Sequence, residues 1–497
     1  MGIIARQSIK NFFWSNWGFL LGAFYTFILI PKVFHDNPSQ WGLLQILVYY
    51  NQVLLPVALI SLPTVIIKYF PEFKNNSKHY ELLSASITII LSMLGIVSVL
   101  FLFLGKFLGP KQSSQDLFNS YYFIVIIILL FSTLFEILAA WSKVCLKSTV
   151  PNFLKDSFIK SWNFVIILVY YFELISFDLL IWIYFGAYFI QLLIMVIYIY
   201  SFDQLKIRLG FRIVKNIFNK QHYIFIIFSV FGTAAYTILN KIDILMISKM
   251  LDLEQVAYYT IALAVIAFIQ LPEKSISAIS IPSLSLMINK NDINEIEDLY
   301  KKTSLTQLIL STFIFLGIWL NIDSISSYLG EKFGNIKYVI LFLGLAKLVD
   351  VTTGLNGPLI SISKYYKYAF GLQFLLVIFL IISNLLFIPK YGINGAAFAS
   401  FISISVYNIL KTLFVYSKFK IWPFNIKTIY SLIIILISYF TIVYMPILAN
   451  FWINFIFRSV LFTVVYISLF IGFNISEDLN RIFKIVLTSF KIIKQKQ

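Results

Sequence analysis

Eleven residues in otherwise apolar stretches are the places where this sequence could do chemistry. Lys241, Lys274, Lys347 and Arg458 are cations; Glu136, Asp243, Glu273 and Asp350 are acids; Asn16, Asn240 and Gln270 are neutral polar groups. Helical spacing puts Asn240 beside Asp243, Gln270 beside Glu273, and Lys347 beside Asp350. Ionisable groups in an apolar setting are costly, so they face a cavity or a partner. Interior cations of this kind suit an anionic passenger, such as a phosphate or an acidic sugar, and do not suit a cationic drug. The four acids would balance those cations or couple transport to H+ or Na+. A competing reading of each residue is a structural salt bridge between helices.

Other chemistry is poorly supplied. His35, His79 and His222 are far apart and Cys145 is the single cysteine, so the sequence offers neither a metal centre nor an intrachain disulfide. There is no G-x-x-x-x-G-K-[ST] phosphate loop, and no connection is long enough for a catalytic domain. The expectation is a protein that is not an enzyme, carries no cofactor and binds no nucleic acid.

The elements that must position these residues follow from composition. Of 497 residues, 60% are hydrophobic and 12% charged, against about half and a quarter in soluble domains. Windows of about 20 apolar residues predict fourteen transmembrane helices, near 11–31, 41–67, 82–105, 118–142, 156–176, 179–201, 222–248, 255–287, 304–328, 337–363, 366–388, 392–417, 425–447 and 450–473. With the N-terminus inside, twenty-eight of the 39 basic residues fall on the inner side and seven on the outer. That asymmetry predicts both termini in the cytoplasm and explains the net charge of +17 without nucleic acid.

The second and eighth spans are long. Each carries a central proline, Pro56 or Pro272, expected to act as a hinge. Their similarity suggests an internal repeat offset by six spans. The predicted organisation is a six-helix lobe at 1–201, a basic cytoplasmic linker at 202–221, a second six-helix lobe at 222–418, and two further helices within 419–473. A basic amphipathic tail at 474–497 is expected to lie on the inner leaflet.

The segment Pro389-Lys390-Tyr391-Gly392-Ile393-Asn394-Gly395-Ala396-Ala397 resembles the P-x-Y-G-I-x-G-A-A turn of polysaccharide flippases. These belong to the multidrug/oligosaccharidyl-lipid/polysaccharide (MOP) exporter superfamily. Ala5-Arg6-Gln7-Ser8 through Pro31-Lys32, Asn240-Lys241-Ile242-Asp243 with Val256-Ala257-Tyr258-Tyr259, and Gly357-Pro358 through Tyr366 are similar to family patterns in the same order. The resemblance implies an all-α MATE-like fold with two lobes in a pseudo-two-fold arrangement. It implies a Wzx-type flippase in the bacterial inner membrane. Such a protein moves an undecaprenyl-pyrophosphate-linked oligosaccharide to the periplasmic leaflet, for O-antigen or other surface polysaccharide assembly. Its partners would be that substrate, membrane lipids, a coupling cation and other polysaccharide-assembly proteins. Lipid II flippases and drug/cation antiporters are sibling readings; a membrane glycosyltransferase or polymerase is a reading of another class.

Overall fold

The computed structural model describes residues 3–203, 206–330, 336–446 and 450–475. The expected amphipathic tail lies outside the described residues beyond Ile475. Every regular element among the described residues is helical, as apolar segments must be where lipid offers the backbone no hydrogen-bond partner. Large apolar side chains stay exposed on the outside, including Phe103, Phe107 and Phe228. In water each would forfeit about 1.5–3 kcal/mol; dozens of them decide for a lipid environment.

By length and composition ten helices can cross a membrane, or twelve if two bent pairs each count as one span. That count leaves out the run Thr149–Tyr171, which a π turn at Leu154–Phe158 divides into short pieces. It also takes Tyr366–Phe419 as one helix of 54 residues. The chain reverses within that helix. Ser383 and Ser403 share a hydrogen bond of 3.0 Å, whereas twenty residues of straight helix would separate them by about 30 Å. Gly392 makes the reversal with φ 59° and ψ −138°, a backbone that side chains disfavour. At Gly395 an added Cβ would lie 2.1 Å from the Phe387 carbonyl oxygen. The two arms therefore touch backbone to backbone at the expected Pro389–Ala397 turn.

The chain divides into two compact units, Met1–Ala264 and Val265–Gln497. In the first unit, Ile60 and Ser61 take left-handed conformations between helices Pro38–Leu59 and Leu62–Asn75. The break follows Pro56, whose missing N–H and bulky ring weaken the preceding turn. The core below it gathers Leu62, Val65, Ile66, Leu82, Leu83, Trp141 and Met195. Part of the basic linker is fastened to helix His79–Leu108. Arg208 N–H donates to Ser84 Oγ at 3.1 Å and Gly210 N–H to Thr88 Oγ1 at 3.2 Å. Val214 and Ile217 of the next short helix then join the core.

In the second unit, a 3-10 turn Ala267–Gln270 precedes helix Leu271–Lys290. Pro272 has no N–H for the usual helical bond, so the tighter turn falls just before it. Helix Ile336–Thr352 bends by 52° into Asn356–Ile362. The sequence alone predicts one continuous span there, near 337–363.

Candidate functional site

The bend between Thr352 and Asn356 is the chemically richest place in the second unit. Gly354, at φ 62°, ends the first half-helix and frees its last carbonyls. Neighbouring hydroxyls take them up. Ser304 Oγ donates to the Thr352 carbonyl at 2.5 Å, Thr353 Oγ1 to that of Asp350 at 2.9 Å, and Thr352 Oγ1 to that of Val349 at 3.2 Å. A broken helix is tolerable inside a membrane protein only where its backbone is so satisfied or lines a polar cavity.

Asn408, fully buried on Tyr366–Phe419, ties the break to that helix. Its amide donates to Asp350 Oδ1 at 3.0 Å. Its carbonyl oxygen accepts from Thr353 Oγ1 at 2.9 Å and from Asn356 Nδ2 at 3.4 Å. Asn356 Nδ2 reaches Thr412 Oγ1 at 3.4 Å. One turn on, Lys411 places its ammonium 3.8 Å from Asp350 Oδ1 and 4.4 Å from the centre of the Tyr407 ring.

Lys347 also lies within electrostatic reach of Asp350, and Glu273 within reach of Lys274, Lys347, Lys411 and Asp350. Three cations thus stand against two carboxylates. At 3.8 Å a pair is worth about 4 kcal/mol at an effective dielectric of 20, while removing each ion from water costs several kcal/mol. Such a group is not explained by stability. Its surplus positive charge is suited to an anion.

Of the residues singled out from the sequence, Lys274, Lys347 and Asp350 lie within electrostatic reach of Glu273, and the structure adds Lys411, Asn408, Thr353, Asn356 and Thr412 to their surroundings. Lys411 is one of the twenty-eight basic residues that the sequence alone assigns to the inner side. Its position inside the expected span 392–417, on one stripe with Asn408 and Val415, is the signal that finds it. Gly354, Asn356 and Gly357-Pro358 likewise signal the break.

The remaining candidates have other surroundings. Gln270 ends the 3-10 turn before Pro272. Arg458 donates to the carbonyls of Leu320 and Met445, both at 3.3 Å. These carbonyls follow helices Ile293–Trp319 and Ile426–Val443, ends where a cation is favoured. In the first unit, Lys241 lies 4.6 Å above the centre of the Tyr49 ring, a cation–π arrangement. Asp243 accepts from Tyr259 Oη at 3.1 Å, Asn240 is exposed, and Asn16 bonds back to its own helix at Phe12. Glu136 is ion-paired with Lys155. No cluster of three or more His, Cys, Asp or Glu residues among the described residues could hold a metal ion.

The apolar helices are those of a multi-pass membrane protein, and their fold is like that of solved flippase and MATE transporter structures. The lipid II flippase MurJ, solved in an inward closed conformation, superposes with a TM-score of 0.71. The match has 16% identity and covers 94% of this chain and 98% of that one. An inward-facing MATE family multidrug resistance transporter of the MOP superfamily matches with a TM-score of 0.65, at 11% identity over 84% and 98% of the two chains. In sequence, the chain is 24% identical over 263 residues to the probable low-salt glycan biosynthesis flippase Agl15 of Haloferax volcanii. The match takes in 52% of this chain, which spans about half the length (55%) of that relative. No family model matches the sequence. None of these relatives is named for the catalysis of a chemical reaction.

Proposed function

We propose that this protein is a flippase for a lipid-linked oligosaccharide of the undecaprenyl-pyrophosphate type. It carries that substrate from the cytoplasmic to the periplasmic leaflet of a bacterial inner membrane, for surface polysaccharide assembly of the O-antigen kind. The carrying observation is the surplus of cations at the broken helix, where Lys347, Lys411 and Lys274 outnumber Asp350 and Glu273. Phosphate is the anionic handle common to such lipids, and lysine meets it as a point charge. The glycan flippase among the relatives supports the same substrate class.

In this reading fourteen spans form the six-helix lobes 1–201 and 222–418 with two appended helices. The lobes alternate between inward and outward access, with Pro56 and Pro272 as hinges. Lys241 and Arg458 add positive charge along the route. The acids Glu136, Asp243, Glu273 and Asp350 hold the cations between cycles or take up a coupling ion.

The test is leaflet-resolved accumulation. Proteoliposomes receive radiolabelled lipid-linked oligosaccharide, with lipid II in a parallel arm, and the label exposed on each face is followed. A flippase moves the oligosaccharide lipid chemically unchanged. Transfer of lipid II alone reassigns the glycan, and a chemically altered product makes the protein an enzyme. Cysteine labelling from each side, in a Cys145→Ser background, tests the orientation: a C-terminal cysteine reached from the periplasm overturns the paired cytoplasmic ends.

A further inference from the structure

Lys411 is the most sheltered cation of the cluster, with its side chain 9% exposed. Among the described residues no direct hydrogen bond satisfies its ammonium; its neighbours are the Asp350 carboxylate at 3.8 Å and the Tyr407 ring at 4.4 Å. It is held by charge and by the ring face rather than by a close hydrogen bond.

The groups around it have their own chemistry. Beside it is the Asp350 carboxylate, and linked to that carboxylate through the Asn408 side chain are the Thr353 hydroxyl and, by way of Asn356, the Thr412 hydroxyl. The half-helix Ile336–Thr352 ends among them and adds the partial negative charge of a helix C-terminus. Carboxylate, amide carbonyl and hydroxyl oxygens are ligands that hard cations prefer. A small free cation would find them attractive, yet a cation on a four-carbon stem is already there.

We infer that Lys411 is a built-in cation, occupying by covalent tether an oxygen-lined seat at the broken helix that would otherwise bind a small monovalent cation. The tether raises the local concentration of positive charge far above that of a free ion, so the intact protein fills the seat without Na+. Removing the side chain leaves Asp350 and its network uncompensated, and the vacancy admits a free cation of matching size. Arrival of a phosphate at Lys347 and Lys411 would draw the tethered ammonium off Asp350 without requiring an ion from either side of the membrane.

The experiment reads binding rather than transport, so its failure leaves the flippase reading untouched. Full-length protein is purified in detergent as wild type, Lys411→Ala, Lys411→Ser, and Lys411→Ala with Asp350→Asn. Melting is measured in Na+, methylammonium or N-methylglucamine at equal ionic strength. Wild type should melt at the same temperature in all three. Lys411→Ala and Lys411→Ser should melt lower in N-methylglucamine and recover in Na+ or methylammonium. The recovery should saturate with concentration, as binding to the folded state alone requires, and should vanish when Asp350→Asn is added. Folded single variants with no cation response overturn the inference, as do variants that stay unfolded in every cation. A saturable Na+ stabilisation of wild type also overturns it, because a free ion would then share the seat with Lys411.

Discussion

Both units interrupt a helix in an apolar setting, and they treat the interruption differently. In the first unit the π turn Leu154–Phe158 releases a carbonyl at Leu154, which the buried Gln191 amide takes up at 3.0 Å. Lys143 there has Lys155, Glu136 and Asp156 within electrostatic reach, two charges of each sign in that group. Each acid has a close side-chain partner: Lys155 pairs with Glu136, and Ser15 Oγ donates to Asp156 at 2.5 Å. In the second unit the freed carbonyls are equally well satisfied, but the charges do not balance. Three cations face two acids, and the most buried cation stands 3.8 Å from its carboxylate. Satisfied backbone is common to both breaks. Charge surplus and loose pairing belong to one of them, and those are what an incoming anion can exploit.

The largest effect should come from removing Asp350. Asp350→Ala leaves Lys411 and Lys347 without their shared carboxylate. Breaking one side of a buried pair costs about 3–5 kcal/mol, so folded yield and melting temperature should fall sharply. Lys411→Ala together with Asp350→Ala should recover much of that loss. Normal stability of the single variant would show that the pair is solvated, and the contrast between the two breaks would fail.

Lys347→Ala should act on transport rather than on folding. Lys347 is only half-buried, so membrane yield should stay near wild type while flipping falls by about tenfold or more, the effect of about 1.4 kcal/mol of lost anion binding. Lys347→Arg should retain part of the activity. Equal losses of yield and transport would make Lys347 a structural residue like those of the first unit.

Much of this contrast was legible in the sequence. The helical, membrane-spanning character was legible because lipid dictates apolar length directly, although by length and composition ten to twelve spans are found where fourteen were expected. The Gly392 reversal was legible as well, since one short motif holds the helix-ending proline and both glycines. Lys347, Asp350, Glu273 and Lys274 stood out as charges among apolar neighbours. Lys411 did not, because only eight residues separate it from the helix end at Phe419. A hydropathy window cannot tell a buried lysine near a span's end from one at the membrane surface. The bend at Gly354 was missed for a related reason: the window averages through a break that the tertiary partners Ser304 and Asn408 stabilise.

Gly395→Ala tests the hairpin that carries Lys411. The new methyl would meet the Phe387 carbonyl oxygen at 2.1 Å, so the arms must separate. Overpacking of this kind costs about 1–3 kcal/mol, and it should lower melting temperature more than Gly371→Ala, where an added Cβ meets nothing. Equal melting of the two variants would mean that the turn opens freely, and that Asn408 and Lys411 are held by the broken helix alone.

The smallest effect should come from the ion pair of the first unit. Lys155 is 52% exposed while Glu136 is 18% exposed, so water already competes for one partner. Pairs of this kind contribute about 0–1 kcal/mol. Lys155→Met should therefore change melting temperature little. It should also leave flipping within about twofold of wild type, less than the tenfold that 1.4 kcal/mol would produce. Glu136→Gln should behave the same way, because Lys155 can turn toward solvent and Lys143 still has Asp156 within electrostatic reach. Raised salt should abolish what difference remains, since screening acts on exposed charges first. A large transport defect in either variant at normal melting temperature would break the comparison from the other side. The balanced charges at the π turn would then be moving with the cycle, and charge surplus would no longer mark the functional break.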